Sequence, residues 1–258
     1  MGSATIPGIQ NPPHAEQPQL CPDYDQGGTN CPAQCIHRVR SLVEHDPSWL
    51  PVGVIDFPMF PLGSVLFPHM PLPLRVFEER YLVMLSRILS DEPSEFGVVL
   101  IERGQEVGGG EQRFTVGTVA QIQQLDATED FVVLVAQGER RIEILEWLEE
   151  DPHPVARVRD LPELAWNDDL LPLRVRAEEA VRRTLRLASE SGDQLWSADV
   201  EISDDPAAAA WQLAAVAPIG ALDQIALLRS ETMESLLTTL IELMDSAEES
   251  FRTPWPEE

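Results

Sequence analysis

The chain contains no lysine: all 18 basic residues among its 258 are arginine. A phosphate-binding loop needs an ammonium group on the β- and γ-phosphates, and Schiff-base or serine–lysine chemistry needs an amine whose pKa can be lowered. Arginine stays protonated and cannot take either part. Nucleotide-driven and lysine-dependent catalysis are therefore excluded for these residues, which favours binding over chemistry. Cysteine is nearly missing as well. Cys21, Cys31 and Cys35 fall within the first 35 residues and none follows, so the rest is neither a disulfide scaffold nor a thiol enzyme.

Long apolar runs are also scarce. The longest mostly apolar stretch, 207–222, is interrupted by Gln212 and Pro218 and flanked by Asp204, Asp205 and Asp223. It is too short to span a membrane and reads as a buried helix. No amino-terminal segment has the charged start and apolar run of a secretory signal, so the expected location is the cytoplasm. Positive charge is short too, with a formal net charge of -26 and acids spread along the chain. Phosphate contacts dominate nucleic-acid affinity, and this field opposes them. Neither nucleic acid nor membrane is an expected partner, no motif implies a cofactor, and the oligomeric state is left open.

What is present is enough apolar residue for a core, 43% of the chain, and 22 prolines against 15 glycines. Residues 1–53 carry Pro12, Pro13, Pro18, Pro22 and Pro32 among Gly, Gln and Asn, and read as a mostly disordered tail with a short helix at 35–44. Cys21, Cys31, Cys35 and His37 are a weak zinc candidate. Their spacing, C-x9-C-x3-C-x-H, matches no familiar finger, and incidental thiols are the simpler reading, so no metal is expected.

Residues 54–161 are β-rich. Segments 56–62 and 72–77 are punctuated by Pro58, Pro61, Pro68, Pro71 and Pro73, which suits edge or irregular strands because proline has no N–H to give a ladder. A helix is predicted at 78–89, with Tyr81, Leu82, Leu85, Ile88 and Leu89 on one face. Strands follow at 96–102, 114–125, 131–138, 140–147 and 155–161. Glycine-rich 104–110 reads as a hairpin loop rather than a phosphate cradle, because Glu111 and a strand follow it instead of a helix amino terminus.

After Pro162 the period becomes helical. Asn167 or Asp168 caps a helix to about Ser189 that buries Leu170, Leu173, Ala177, Ala180, Val181, Leu185 and Ala188. Asp205 and Pro206 open a helix over 207–217, Pro218 to Gly220 ends it, and 221–228 forms a third. The last begins at Ser230, with Leu236, Leu237, Leu240, Ile241 and Met244 inward, and frays after Ala247. The expected division is a tail at 1–53, a β domain at 54–161, a helical bundle at 162–247 and an acidic tail at 248–258.

The stretch 57–81, FPMFPLGSVLFPHMPLPLRVFEERY, resembles the opening phrase of the amino-terminal substrate-recognition domain of the Lon protease family, close to F-P-L-x-x-V-L-F-P-G-x-x-L-P-L-x-I-F-E-x-R-Y. Segments 96–101 (FGVVLI), 116–122 (VGTVAQI), 138–142 (GERRI) and 218–228 (PIGALDQIALL) are similar to later parts, so the likeness covers about 55–247. One departure is His69, where the family usually has glycine; if that glycine has positive φ, His69 is strained or the turn is rebuilt. The resemblance implies an α+β fold: a PUA-like small β-barrel domain with one inserted helix, followed by a carboxy-terminal helical bundle. It also implies recognition of unfolded or tagged polypeptides, alone or for a protease or chaperone system. In full-length Lon an ATPase and a Ser–Lys protease follow; here the expectation is the free-standing bacterial form, a non-enzyme. The alternative is a PUA-like binder of small molecules.

The candidate peptide-binding residues are Phe60, Phe67, Arg75, Phe77 and Tyr81, although aromatics of this kind more often build core. Arg75, Glu78 and Arg80 beside Tyr81 read as an ion-pair cluster pinning the helix to the sheet. His69 and His153 are isolated from any nucleophile motif, and the acids at 149–151 read as a solvated turn.

Overall fold

A computed structural model describes residues 53–90, 92–101, 113–128, 131–191 and 196–252. Segment 104–110, the set Cys21, Cys31, Cys35 and His37, and the expected tail before residue 53 lie outside the described residues.

Six strands form one sheet: β1 (Val54–Leu62), β2 (Pro71–Val76), β3 (Glu95–Ile101), β4 (Arg113–Ala127), β5 (Val132–Trp147) and β6 (Val155–Asp160). Their order is β2-β5-β4-β3-β1-β6, and β6 also pairs with β5. The ladder from β5 through β4, β3, β1 and β6 thus returns to β5, while β2 hangs on β5 as the edge strand among the described residues. Every pairing is antiparallel except that of β1 with β3. Parallel neighbours need a crossover, supplied here by β2 and helix α1 (Glu79–Ile88).

The two strands expected at 131–138 and 140–147 are one strand, β5, running through Gly138. Glycine there signals close approach rather than a turn: a Cβ on Gly138 would lie 2.2 Å from the carbonyl oxygen of Phe67. The segment before β2 is docked at this point. His69 N–H donates to the Gly138 carbonyl (2.7 Å) and Gly138 N–H to that of Met70 (2.9 Å). The buried hydroxyl of Thr118 holds the same segment through the Leu66 carbonyl, at 2.6 Å.

The helices begin largely where the caps predict. Asn167 accepts from Asp169 N–H, opening a 3-10 turn over Asp168–Leu170 that leads into α2 (Leu171–Ser191). Asp205 accepts from Ala208 N–H, with Pro206 in the first turn of α3 (Pro206–Val216). Helix α4 (Ala221–Leu228) follows Gly220. The last helix, α5 (Met233–Arg252), differs at both ends. It is capped by Thr232 and Ser235, each hydroxyl accepting the other's backbone N–H, because the Ser230 carbonyl is turned toward Arg141 instead. It also continues past Ala247, where an acidic tail is expected. Glu248 is buried and bonds Arg183 Nε at 2.6 Å and the Thr184 hydroxyl at 3.4 Å, which holds the extra turns on α2.

The apolar core has three parts. One face of β2, β5 and β3 packs on α1, with Val76, Leu134 and Ala136 against Tyr81, Met84 and Leu85. A second cluster joins Met59, Val99, Val119, Ile142, Ile144, Ala156 and Val158 from β1, β3, β4, β5 and β6. The third and largest gathers the four later helices around Trp211, Leu213, Leu227, Leu236 and Leu240, and takes in Phe67, Leu100 and Val116 from the β-rich half. Sheet and helices therefore share a core. The expected boundary at 161/162 separates two kinds of secondary structure, and the apolar packing runs across it.

Candidate functional site

The five candidate residues do not form one surface. Phe60 is buried and stacks on Tyr81, with centroids 4.0 Å apart and planes 14° from parallel. Tyr81 is itself 5% exposed, and burial raises its pKa, with Arg80 opposing and Glu78 adding to the rise. Phe67 is 1% exposed and meets Trp211 at 6.1 Å. These three are core, and a ligand cannot reach them without displacing native packing. The other two are on the surface. Phe77 is 66% exposed, against 38% for Trp196. Arg75 is exposed and leaves the expected cluster with Glu78 and Arg80. Its guanidinium lies 3.9 Å from the ring centroid of Phe131, while Glu78 pairs with Arg80 at 3.0 Å.

Strand register shows what surrounds Phe77. Arg75 pairs with Val133 and Val76 with Val132, so Phe77 and Phe131 stand one step further along the same ladder. Directly paired residues share a face. One face of β2 and β5, carrying Val76, Leu134 and Ala136, is covered by α1. The other carries Phe77, Phe131, Val133 and Val135, with Pro73 and Arg75 beside them, and nothing among the described residues covers it. Val133 is 42% exposed, and Phe131 and Val135 are half-buried. Gln124 and Asp126, exposed on β4, border this stripe.

The free edge of β2 is chemically blunted. Gly138 N–H bonds the Met70 carbonyl, so backbone groups turned toward β5 recur at Leu72, Leu74 and Val76. Pro71, Pro73 and Arg75 then face the open edge. Two of these three positions have no N–H, which prevents a continuous ladder with an added strand.

A second feature is Arg141, only 5% exposed on β5. It donates from Nη1 to the carbonyls of Leu228 (2.8 Å) and Ser230 (2.7 Å), and from Nη2 to that of Pro162 (2.8 Å), and lies 5.1 Å from the Trp211 ring. Burial lowers its pKa, because desolvation penalises the cation. Arg141 lines two clefts. One, of about 210 Å³, is lined by His69, Arg140, Leu164 and Trp211; the other, of about 440 Å³, by Thr115, Val116, Leu161, Pro162, Arg229 and Ser230.

The two histidines have distinct structural roles. His69 adopts φ 62°, as its replacement of a family glycine foreshadows. His153 is buried: Nδ1 donates to the Pro154 carbonyl (3.1 Å) and Nε2 accepts from Arg87 Nη1 (3.3 Å), tying α1 to the turn before β6. No cluster of three or more His, Cys, Asp or Glu among the described residues is placed to hold a metal ion. No helix among them is long and apolar enough to cross a membrane.

The match to known proteins follows this architecture. The family model of the ATP-dependent protease La (LON) substrate-binding domain aligns with residues 56–246. The chain belongs to the LON substrate-binding domain family. The Lon protease of Anaeromyxobacter dehalogenans (strain 2CP-C) is 33% identical over 138 residues, 52% of this chain and 16% of that protein. Lon protease of Escherichia coli (strain K12) is 27% identical over 199 residues, 74% of this chain and 25% of that protein. The chain thus spans a quarter or less of the length of these Lon relatives. Among solved structures, a Lon N-terminal domain protein from Xanthomonas campestris superposes with a TM-score of 0.52 at 24% identity, covering 73% of this chain and 98% of that one. The N-terminal domain of Mycobacterium avium complex Lon protease gives 0.52 at 16% identity, with 74% and 98% covered. These establish the LON amino-terminal fold, a mixed sheet with helices. The matched region is the family's non-catalytic substrate-binding module.

The LON domain's outer β2–β5 stripe contains three residues, Phe131, Val133 and Val135, absent from the sequence-based candidates. The signal was present in the run FVVLVA at 131–136, which is apolar on both faces. A strand with one solvated face should alternate, so such a run requires either a second cover or an exposed apolar face.

Proposed function

We propose that this LON domain is a non-catalytic polypeptide-recognition module that holds unfolded segments on the outer face of β2 and β5, and acts in the cytoplasm as an adaptor for a protease or chaperone system. Within this reading, the closed strand circuit with α1 is a PUA-like barrel and α2–α5 is a helical bundle. The observation that carries it is the stripe of Phe77, Phe131, Val133 and Val135, exposed at Phe77 and Val133 and covered by none of the described residues, on a chain of the substrate-binding family. Contiguous exposed apolar side chains mark interaction surfaces, and the Arg75 guanidinium on Phe131 gives the stripe a polar border. Because Pro71 and Pro73 blunt the edge, contact is made by side chains rather than by adding a strand. Side-chain contact tolerates many sequences, as recognition of unfolded chains requires. The family match does not favour the small-molecule reading.

The test is fluorescence anisotropy with labelled, reduced and carboxymethylated α-lactalbumin. Micromolar binding is expected, weakened at least tenfold by Phe77→Asp with Val133→Asp, whose exposure leaves the core intact. Absence of binding to several denatured proteins at saturating concentration would sink the reading.

A further inference from the structure

We infer that the 440 Å³ cleft between β4, β5 and the α4–α5 turn receives a carboxylate on a short apolar stem, and that its source is the carboxy-terminal residue of a bound polypeptide. This rests on the polypeptide-recognition reading and names one chemical group that such recognition reads.

Arg141 is buried and has no carboxylate partner among the described residues; its three hydrogen bonds all go to backbone carbonyls. A guanidinium has five N–H donors, and these three bonds leave its Nε–H and one Nη2–H. Arg229, which also lines the larger cleft, is likewise without a carboxylate among the described residues. Its Nη2 reaches the Thr115 hydroxyl at 3.2 Å, and its guanidinium lies 5.9 Å from the Phe114 ring centroid. Glu143 also lines the cleft but is held by Arg159, and Glu231 lies on its lining beside Ser230. Two guanidinium groups without carboxylate partners among the described residues therefore line one cleft, beside Glu143 and Glu231, in a chain whose formal charge is -26. Val116, Leu161 and Pro162 supply apolar lining to the same cleft.

A planar fork of N–H donors matches a carboxylate, and a cation freed from bulk water holds it more firmly than a surface arginine does. The apolar wall suits the side chain of the same residue. Thr115 and Ser230 add hydroxyls for the remaining oxygen lone pairs.

The probe is a fluorescein-labelled decapeptide ending in leucine, made with a free carboxylate and as the amide. With the whole chain, the acid is expected to bind about tenfold more tightly than the amide. Arg229→Gln, at an exposed side chain that leaves Arg141 in place, is expected to abolish the difference. N-acetyl-leucine is expected to compete with the acid peptide, and N-acetyl-leucinamide is not. Equal binding of acid and amide, or a preference that persists in Arg229→Gln, overturns the inference. N-acetyl-leucine binding while both peptides are excluded overturns the polypeptide source. Denatured proteins that bind through the β2–β5 face with no acid-over-amide preference would leave the functional reading standing and remove only this inference. Loss of all polypeptide binding would remove both.

Discussion

His69 occupies the left-handed region at φ 62°, where a Cβ is crowded against its own backbone. Relief of that strain by glycine is worth about 1–2 kcal/mol, less the entropy that glycine adds to the unfolded chain. His69→Gly is therefore expected to stabilise the protein by roughly 0.5–1 kcal/mol, raising Tm by about 1–4 °C in a thermal melt. At Tyr81 burial raises the phenol pKa. Above pH 10 the unfolded chain loses this proton while the folded one keeps it. Stability is thus complete below pH 10 and falls as pH rises through the folded pKa, at up to about 1.4 kcal/mol per pH unit. With no lysine in the chain, no side-chain amine titrates over the same range. Tyr81→Phe should therefore flatten the alkaline limb of urea midpoints measured between pH 9 and 11.5.

At the scale of elements, β5 organises the β-rich half because it pairs with β2, β4 and β6. Its continuity depends on Gly138, where the Phe67 carbonyl would meet a Cβ at 2.2 Å. Gly138→Ala must push away backbone rather than a flexible side-chain tip. A cost of about 1–3 kcal/mol is expected in urea unfolding, with altered near-ultraviolet circular dichroism as Phe67 shifts against Trp211. The sequence located β1, β2, α1, β3, β4, β6 and the starts of α2 and α3, because proline, period and caps act locally. It divided β5 in two, because a glycine that permits close approach looks like a glycine that makes a turn. It also began α5 at Ser230 rather than Met233, because the claim of Arg141 on the Ser230 carbonyl is a contact across 89 residues.

At the scale of the molecule, sheet and helices are joined by the shared cluster around Phe67, Val116 and Trp211 and by Arg141, which links β5 to the carbonyls of Pro162, Leu228 and Ser230. Unfolding of the described region should be a single transition, with far-ultraviolet circular dichroism and tryptophan fluorescence coinciding along a urea titration. Arg141→Met strips charged donors from three carbonyls and is expected to cost roughly 3 kcal/mol in the same titration. Two separated transitions in the unaltered protein would contradict a common core.

The sequence by itself determined the chemistry that is excluded and the family. Absence of lysine is a matter of composition, and the phrase at 57–81 is contiguous. It also listed Phe60, Phe67, Arg75, Phe77 and Tyr81 together without separating core from surface. Tertiary structure alone decided that Phe60, Phe67 and Tyr81 turn inward while Arg75 and Phe77 join Phe131, Val133 and Val135 outside. The physical reason is pairing register. A strand has two faces, and which of them α1 covers depends on how β2 aligns with a β5 that begins 56 residues after β2 ends.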